Sequence, residues 1–506
     1  VPVPVDEAPI VSPAGGAEDG VEGRGSLGRA LLPGAADLIS GALALPLLLT
    51  HALFTEDTWW HLALGEQTLR ERAIPAVETF SFTAAGTPLA SHSWLADALF
   101  AALERVGGLG LVEVLGFLVA ALVFRTIFAV ARALGARPSF AVLPVYLFAM
   151  WSAHFLTLRP QLFTYLLLAW LLLACVELHA GRSRMVLAAP LVFVLWSNLH
   201  GGFLVGLGFL AGFAAIEVVE GWRLQATEPL RRARTLGGVA LLSALAACVH
   251  PHGWHEFTDA LVNTPVGDSI HELINEWRPP DLGVVPLLPL SIVLAVLAAL
   301  ALGERPPLLE ALLVLGSLHL ALSAWRHVPI FGIVGAPVLA AWGSRGLRRE
   351  LPKLEKLLGS GGSLGWWTIV LVALIFGAEE VRARSPVLDA PLVRKKFPVD
   401  AVRWVEKNRV GGSRVFATYE WGGYVTHELP SRKIFIDSRM VPFKGVLDDY
   451  LVAQRGGPEA LAVLGKHQID WALVARDGAL ARTLATDPRW RPAYEDELAA
   501  VFVWKR

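Results

Sequence analysis

Residues 55–66 read "TEDTWWHLALGE" (Thr55–Glu66). Two acids, two tryptophans and a histidine are crowded where an apolar run, about Pro33 to Phe54, comes to its end. Two readings meet there. Asp57 is a helix N-cap with Trp59 and Trp60 as an aromatic belt at a membrane surface, or the acids belong to a chemical site. The choice turns on the segments around them.

The chain has 506 residues, of which 54% are hydrophobic and 18% charged, with a mean hydropathy of +0.51. Soluble domains carry roughly 25% charged residues, so the composition is that of a polytopic α-helical membrane protein. A net charge of −1 excludes a nucleic-acid binder, which needs a basic footprint. Cys175 and Cys248 both fall in apolar segments; there is neither a disulfide framework nor a CxxC metal site. Residues 1–32, rich in Pro, Gly and acid, are expected to be disordered. The run that follows is too long for a signal peptide and reads as a membrane helix.

Apolar runs of near-spanning length recur at 33–54, 109–131, 139–157, 161–178, 185–199, 202–219, 236–250, 284–302, 308–325, 329–343 and 365–378. That predicts about eleven transmembrane helices. One set of connecting loops is basic: Arg132 and Arg137, Arg182 and Arg184, Arg223 to Arg234, Arg305, and Arg345 to Lys356. The alternate short loops carry only Arg159, Arg278 and Arg326. The positive-inside rule then places the N-terminus in the cytoplasm and the tail after about Arg382 outside, in a plasma (inner) membrane protein. The outer boundaries collect Glu56, Asp57, His61, His92, Arg159, Gln161, Asn198, His200, His250, His252, His255, Glu276, Arg326 and His327. Ionisable groups at membrane depth are costly and mark function.

Residues 55–108 form a first outer loop with two interfacial helices. "DTWWHLALGEQTLRERA" carries Trp59, Leu62, Leu69 and Ala73 on one stripe and Glu66–Arg70 as an i,i+4 pair. "SHSWLADALFAALERVGG" carries Leu95, Leu99, Leu103 and Val106 on its stripe and ends on glycines. A turn-rich connector joins them.

This layout resembles the GT-C superfamily of integral membrane glycosyltransferases: the protein O-mannosyltransferases, the aminoarabinose transferases and the oligosaccharyltransferase catalytic subunits. In those proteins a first span leads into a large outer loop that opens on an acidic motif. Glu56-Asp57 stands at the matching place, and the resemblance in layout covers roughly residues 33–380. It implies transfer of a sugar from a polyprenyl-phosphate donor to an acceptor, which is a protein, a lipid or a polysaccharide. A carboxylate within reach takes the acceptor's proton as general base, or binds a divalent metal that organises the lipid phosphate. Asp57 is the candidate for either role and Glu56 the runner-up. No cofactor is certain.

The leaving phosphate needs cations, and arginine suits it by its fork and permanent charge. "LTLRPQLFTY" sets Arg159 at a helix boundary, "WSNLHGGF" sets Asn198 and His200 at a turn, and "AWRHVPIF" sets Arg326 and His327 at another. With His61 and His92 these are the candidate phosphate or sugar ligands. Each also has a structural reading, as a headgroup-snorkelling arginine or a turn histidine. "HPHGWH" (His250 to His255) has the look of a metal cluster, but no HExxH or CxxC spacing supports it. Glu276 and Arg278 in "INEWRPPD" either gate the acceptor or pair internally.

Beyond the last span, residues 385–506 alternate helix and strand and predict a soluble α/β outer domain. Its segment "SRVFAT–YEWGGYVTHEL–SRKIFID" resembles the oligosaccharyltransferase order of strand, WWDYGY-type motif, basic residue and strand. Tyr419-Glu420-Trp421 stands in place of Trp-Trp-Asp and Gly422 in place of the next Tyr, while Gly423-Tyr424 matches. The resemblance therefore implies only a placement: a loop carrying Tyr419, Glu420, Trp421 and Tyr424 faces the site from the acceptor side. The alternative is Trp421 in the core and Gly422-Gly423 as a turn.

Two other functions fit the same spans. A transporter or flippase would carry discontinuous helices and midplane charges in repeated halves, and no internal repeat is visible. A catalytically silent GT-C-like scaffold would keep the layout without the chemistry.

Overall fold

The structure is a computed structural model that describes residues 54–89, 91–137, 151–262, 275–280, 306–350 and 390–505, with isolated residues at 141, 144, 147, 148, 296 and 352. The expected spans at 33–54, 284–302 and 365–378 lie wholly or almost wholly outside these residues, as does the segment 1–32, and the span at 139–157 is described only in part.

Helix α1 (Glu56–Glu71) opens the described chain. Its N-cap is Thr55 rather than Asp57: the Thr55 N–H donates to Thr58 Oγ1 at 3.0 Å. Asp57 sits in the first turn, where a carboxylate also favours the helix dipole. Helix α2 (Trp94–Ala133) merges the expected interfacial helix with the span after it. The join is Gly107-Gly108, with Gly108 at φ 68°, a conformation glycine adopts without the Cβ penalty. Gly65 of α1 is the other glycine the packing demands: a Cβ there would stand 1.9 Å from the Asp97 carbonyl oxygen of α2.

Three further expected spans are regular helices: α3 (Gln161–His179), α5 (Phe203–Leu224) and α9 (Val328–Glu350). Between them lie α4 (Ala189–Leu199), α6 (Thr227–Ala247), α7 (His255–Val262) and α8 (Leu308–Ser323). Among the described residues four stretches, Trp94–Ala133, Gln161–His179, Phe203–Leu224 and Trp325–Glu350, are long and apolar enough to cross a membrane. Their core holds Phe124, Phe148, Trp151, Phe193, Trp196 and Phe331. Leu118, Leu191, Leu241, Leu245 and Leu315 point outward and stay exposed, as lipid-facing side chains do and as a soluble protein avoids on this scale. This is a membrane protein.

The C-terminal unit begins with α10 (Ala390–Lys396) and α11 (Val399–Lys407). It continues β1 (Arg414–Ala417), α12 (Tyr419–Glu428), β2 (Lys433–Ile434), α13 (Leu447–Arg455), α14 (Gly457–Lys466), β3 (Trp471–Ala475), α15 (Ala479–Thr486), β4 (Trp490–Glu495) and β5 (Ala499–Trp504). The sheet order is β2-β1-β3-β5-β4, parallel on one side and antiparallel on the other. Strand β4 is an element the sequence reading missed; its pattern is mostly exposed, as an edge strand allows. "YEWGGYVTHE" is helix α12, not a loop.

The unit is bound to the loop between α1 and α2 on two fronts. Ser81 bridges Ile434 in parallel, with the Phe82 N–H on Ile434 O (3.3 Å) and the Ile434 N–H on Phe80 O (3.1 Å), so the loop covers the edge of β2. Helix α12 packs on α1, and Gly423 permits it: a Cβ there would lie 2.9 Å from Glu56 O. Trp59, 1% exposed, is the centre of this seam, ringed by Phe54, Phe397 and Tyr424. It is core, not a membrane belt.

Candidate active site

Asp57 is reached from three directions. Arg159, in the turn before α3, places Nη2 2.9 Å from Asp57 Oδ2. Ser438 Oγ donates to Asp57 Oδ1 at 2.5 Å. Trp60 Nε1 donates to the same oxygen at 3.0 Å, so Trp60 is a ligand of the acid and not a belt residue. Arg159 is shared with Glu276, its Nη1 donating to Oε1 at 3.0 Å. Burial alone would raise the Asp57 pKa; Arg159, Ser438, His61 and Trp60 outweigh it and hold the carboxyl below its usual range. Burial would lower the Arg159 pKa, and Asp57 and Glu276 raise it above its ordinary value. Both groups are therefore charged at neutral pH.

This pair opens on a cavity of about 200 Å³. Of the residues expected from the sequence, Asp57, His61, His92, Arg159, His200 and Arg326 line it. Leu64, Pro88, Leu89, Val441 and Pro442 supply apolar wall. His61 Nδ1 is 2.7 Å from Asp97 Oδ1, and Ser93 Oγ donates to the same carboxylate at 3.1 Å, which fixes the imidazole. The Gly202 N–H (3.0 Å) and the Thr164 hydroxyl (2.9 Å) converge on His200 Nδ1, so its proton is on Nε2. Burial, with His92 and Arg326 close by, pushes the His200 pKa well down and keeps it neutral.

Arg326 differs from Arg159. Its guanidinium lies 3.9 Å over the Trp277 ring, and among the described residues no carboxylate pairs with it. Its half-buried guanidinium therefore stands on the cavity wall without a carboxylate of its own among the described residues.

The other expected residues lie beside the cavity. Glu56 is turned away and accepts from Lys396 Nζ at 3.0 Å. Asn198 is committed to structure: it accepts from Trp94 Nε1 (2.8 Å) and donates to Val194 O and Val249 O. His327 lies in the Trp325–His327 turn, off the cavity lining. Tyr419 donates to Ser438 O at 3.1 Å and so braces the Ser438 loop. Glu420 is exposed. Trp421 and Tyr424 are core residues, 5% and 4% exposed, with Trp421 Nε1 on Lys396 O. The expected Glu66–Arg70 pair is replaced by Glu66–Arg105, at 2.7 Å between α1 and α2. The outward Leu95–Val106 stripe is likewise not the buried face; Ala96, Asp97, Phe100 and Ala101 are.

The structure adds Ser438 and Arg439, which the sequence reading passed over. Arg439, with its side chain 4% exposed, donates to both Asp437 oxygens and to Glu78, two carboxylates at 0%. Glu78 Oε1 also accepts from the N–H groups of Phe80 (2.6 Å) and Ser81 (2.8 Å). Met440 next to it adopts φ 55°, ψ −54°, a strained backbone for a non-glycine residue. The triad holds that strain and sets Ser438 against Asp57. The only signal in the sequence is the charged "DSR" at the end of a strand.

The donor set around Asp57 does not fit a divalent cation. Both its oxygens are taken by Ser438, Trp60 and Arg159. Among the described residues, no cluster of His, Cys, Asp and Glu able to hold an ion includes it.

No family model and no curated protein matches the sequence. Solved structures do match the fold. The apo oligosaccharyltransferase of Archaeoglobus fulgidus superposes with a TM-score of 0.57 at 12% identity, over 87% of this chain and 69% of that one. The AglB oligosaccharyltransferase of the same organism, in complex with an inhibitory peptide and a dolichol-phosphate, gives 0.59 at 12% identity, over 89% and 70%. The form tethered to an acceptor peptide with the NVT sequon gives 0.56 at 12%, over 87% and 68%. The chain thus has the fold of those transferases, the GT-C fold.

Proposed function

We propose that the protein is a membrane glycosyltransferase that moves a sugar from a polyprenyl-phosphate carrier to an acceptor at the outer face of the plasma (inner) membrane. The observation that carries this reading is the pairing on one cavity of a charged carboxylate, Asp57, with two guanidiniums, of which Arg326 has no acid partner among the described residues. An AglB structure of the same fold binds a dolichol-phosphate, which supports a lipid-linked phosphate as the missing anion. The basic loops of the other side support the orientation.

In the transfer, the bond from the sugar's anomeric carbon to the phosphate oxygen breaks and a bond to the acceptor forms. The leaving phosphate takes the negative charge, and Arg326 and Arg159 bind it. The acceptor's proton goes to Asp57. An arginine-paired carboxylate is a weak base, so Arg159 exchanges Asp57 for the phosphate as the donor binds, which restores Asp57's basicity. His61, held by Asp97 at 2.7 Å, is a second group able to take the proton, in the manner of a carboxylate-oriented imidazole.

Purified protein is assayed against a panel of polyprenyl-phosphate and polyprenyl-diphosphate sugars, wild type beside Asp57→Asn and His61→Gln. The expected result is turnover lost in Asp57→Asn with donor binding kept. Full activity in Asp57→Asn and loss in His61→Gln would transfer the base role to His61. No binding and no turnover with any donor would favour the scaffold.

A further inference from the structure

A second polar cluster lies where α6 ends and α7 begins, in "HPHGWHEFTD" (His250–Asp259). One ring nitrogen from each of His250 and His252 and one oxygen of Glu256 lie within 4.8 Å of one another. Glu256 is 0% exposed, and neither of its carboxylate oxygens has a hydrogen bond. Its Oε2 stands 3.3 Å from His250 Nδ1 and 3.9 Å from His252 Nδ1, but without hydrogen-bond geometry. The His252 backbone N–H donates to His250 Nδ1 at 3.2 Å, so Nδ1 is the unprotonated ring nitrogen, and this long bond holds its one lone pair until an ion takes it. The Nε2 atom of His250 is buried and unpartnered too.

Glu256 is thus a buried carboxyl group without a hydrogen-bond partner, and among the described residues no lysine or arginine pairs with it. Buried polar groups left in this state are costly. The contrast is the other such group among the described residues, His179, Glu217 and Glu220. There Arg232 donates to both Glu217 oxygens at 3.0 Å and His179 contacts it at 2.7 Å, so the charge is balanced by the protein itself.

We infer that His250, His252 and Glu256 bind one divalent transition-metal ion of the zinc type. Imidazole and carboxylate donors suit that ion. Asp259 Oδ2, 3.1 Å from His252 Nδ1, is a carboxylate that orients His252 through Nδ1, which leaves Nε2 as its ligand atom. Three protein ligands leave a coordination position open, and the His252 side chain, 26% exposed, gives the ion a way in from solvent. The ion ties the end of α6 to α7. Asn198 Nδ2 bonds Val249 O at 2.8 Å, and a Cβ on Gly201 would meet both Ala260 (3.3 Å) and His92 (3.6 Å). The bound metal therefore braces the cavity wall that carries His92 and His200, without touching the acid.

The test uses the full chain in detergent, stripped of metal with a chelator. It is titrated with Zn²⁺ against a chromophoric competitor, and with Co²⁺ for its visible absorption. The expected result is one ion per chain, a Co²⁺ ligand-field band and a Zn²⁺-dependent rise in Tm. Glu256→Gln and His250→Ala each weaken Zn²⁺ binding by at least about tenfold and abolish the band. Glu256→Gln replaces a buried carboxyl that has no partner by an amide of the same shape, so the metal-free variant melts no lower than metal-free wild type; that comparison separates loss of a ligand from misfolding. Absence of binding overturns the inference. So does an affinity unchanged in both variants, which would put the ion elsewhere.

Discussion

Replacing Arg439 by methionine is the sharpest probe of how the site is built. The guanidinium is 4% exposed and is the bonded counter-charge of Asp437 and Glu78, both at 0%. Methionine keeps much of the volume but leaves two carboxylates buried together. Removing one partner of a buried ion pair costs about 3–5 kcal/mol. At 1.4 kcal/mol per tenfold, local opening becomes on the order of a hundred- to a few thousand-fold more frequent. The event is local, because the triad holds the loop of residues 436–443 to the loop of residues 76–89 and not the helical body. Hydrogen exchange read by mass spectrometry on peptides from those two loops should show this loss of protection, with peptides from α3 and α5 unchanged. Transfer activity should fall as well, since Ser438 leaves Asp57. Arg439→Met combined with Asp437→Asn and Glu78→Gln should recover most of the protection, because a neutral buried cluster no longer needs a cation. Protection within about threefold of wild type in Arg439→Met, a difference under about 1 kcal/mol, would refute the account of the triad as the clamp.

Two further outcomes follow from charges beside the site. Arg326→Met should cost transfer about ten- to a hundredfold in kcat/KM, the worth of a charged hydrogen bond to phosphate. It should change stability by no more than about 2 kcal/mol, because the Trp277 ring is the arginine's partner among the described residues. Steady-state kinetics beside thermal melts check both, and unchanged kcat/KM would remove Arg326 from donor binding. His427 joins α12 to α2 through Glu104 (2.9 Å) and also meets Glu428 (3.0 Å). Burial pulls its pKa down, but these two acids raise it to about 9. A pKa raised in the docked state means stabilisation that is complete below about pH 6.5 and lost as pH rises through about 9, some 3 kcal/mol in all. Exchange of the α12 amides should therefore quicken between those pH values in wild type beyond its intrinsic pH dependence. His427→Gln should flatten that excess, and an identical profile in the variant would sink the assignment.

Asp57, His61, His92, Arg159, His200 and Arg326 were legible in the sequence because each is an ionisable group next to an apolar run, a placement that is costly without a use. The Gly107-Gly108 break was legible for a similar reason, since two glycines end a helix whose pattern otherwise continues. Ser438 and Arg439 were not. Their partners lie 381 and 361 positions away, and "DSR" after a strand reads as an ordinary solvated turn. Helix α12 was hidden by Gly422-Gly423, which looks like a turn locally. Gly423 serves close packing on α1 and Gly422 close packing on Ile436 and Asp437, tertiary needs that no local pattern expresses. Trp59 misleads in the same way: next to a span it looks like a belt, and only the docked α/β unit makes it core. The buried Glu256 completes a cluster that histidine spacing alone did not support.

The hydrogen bond from Ser438 to Asp57 has a bearing on how the protein comes into being. Ribosomes deliver the acid early and its hydroxyl partner several hundred residues later. A nascent chain halted in the membrane would display Asp57 and Arg159 but lack one wall of the cavity. On the proposed function, a donor lipid in the same bilayer would then meet an unfinished pocket and be spared futile cleavage. The cavity is complete only once the α/β unit has docked, so under that proposal assembly itself would act as the safety catch on the chemistry.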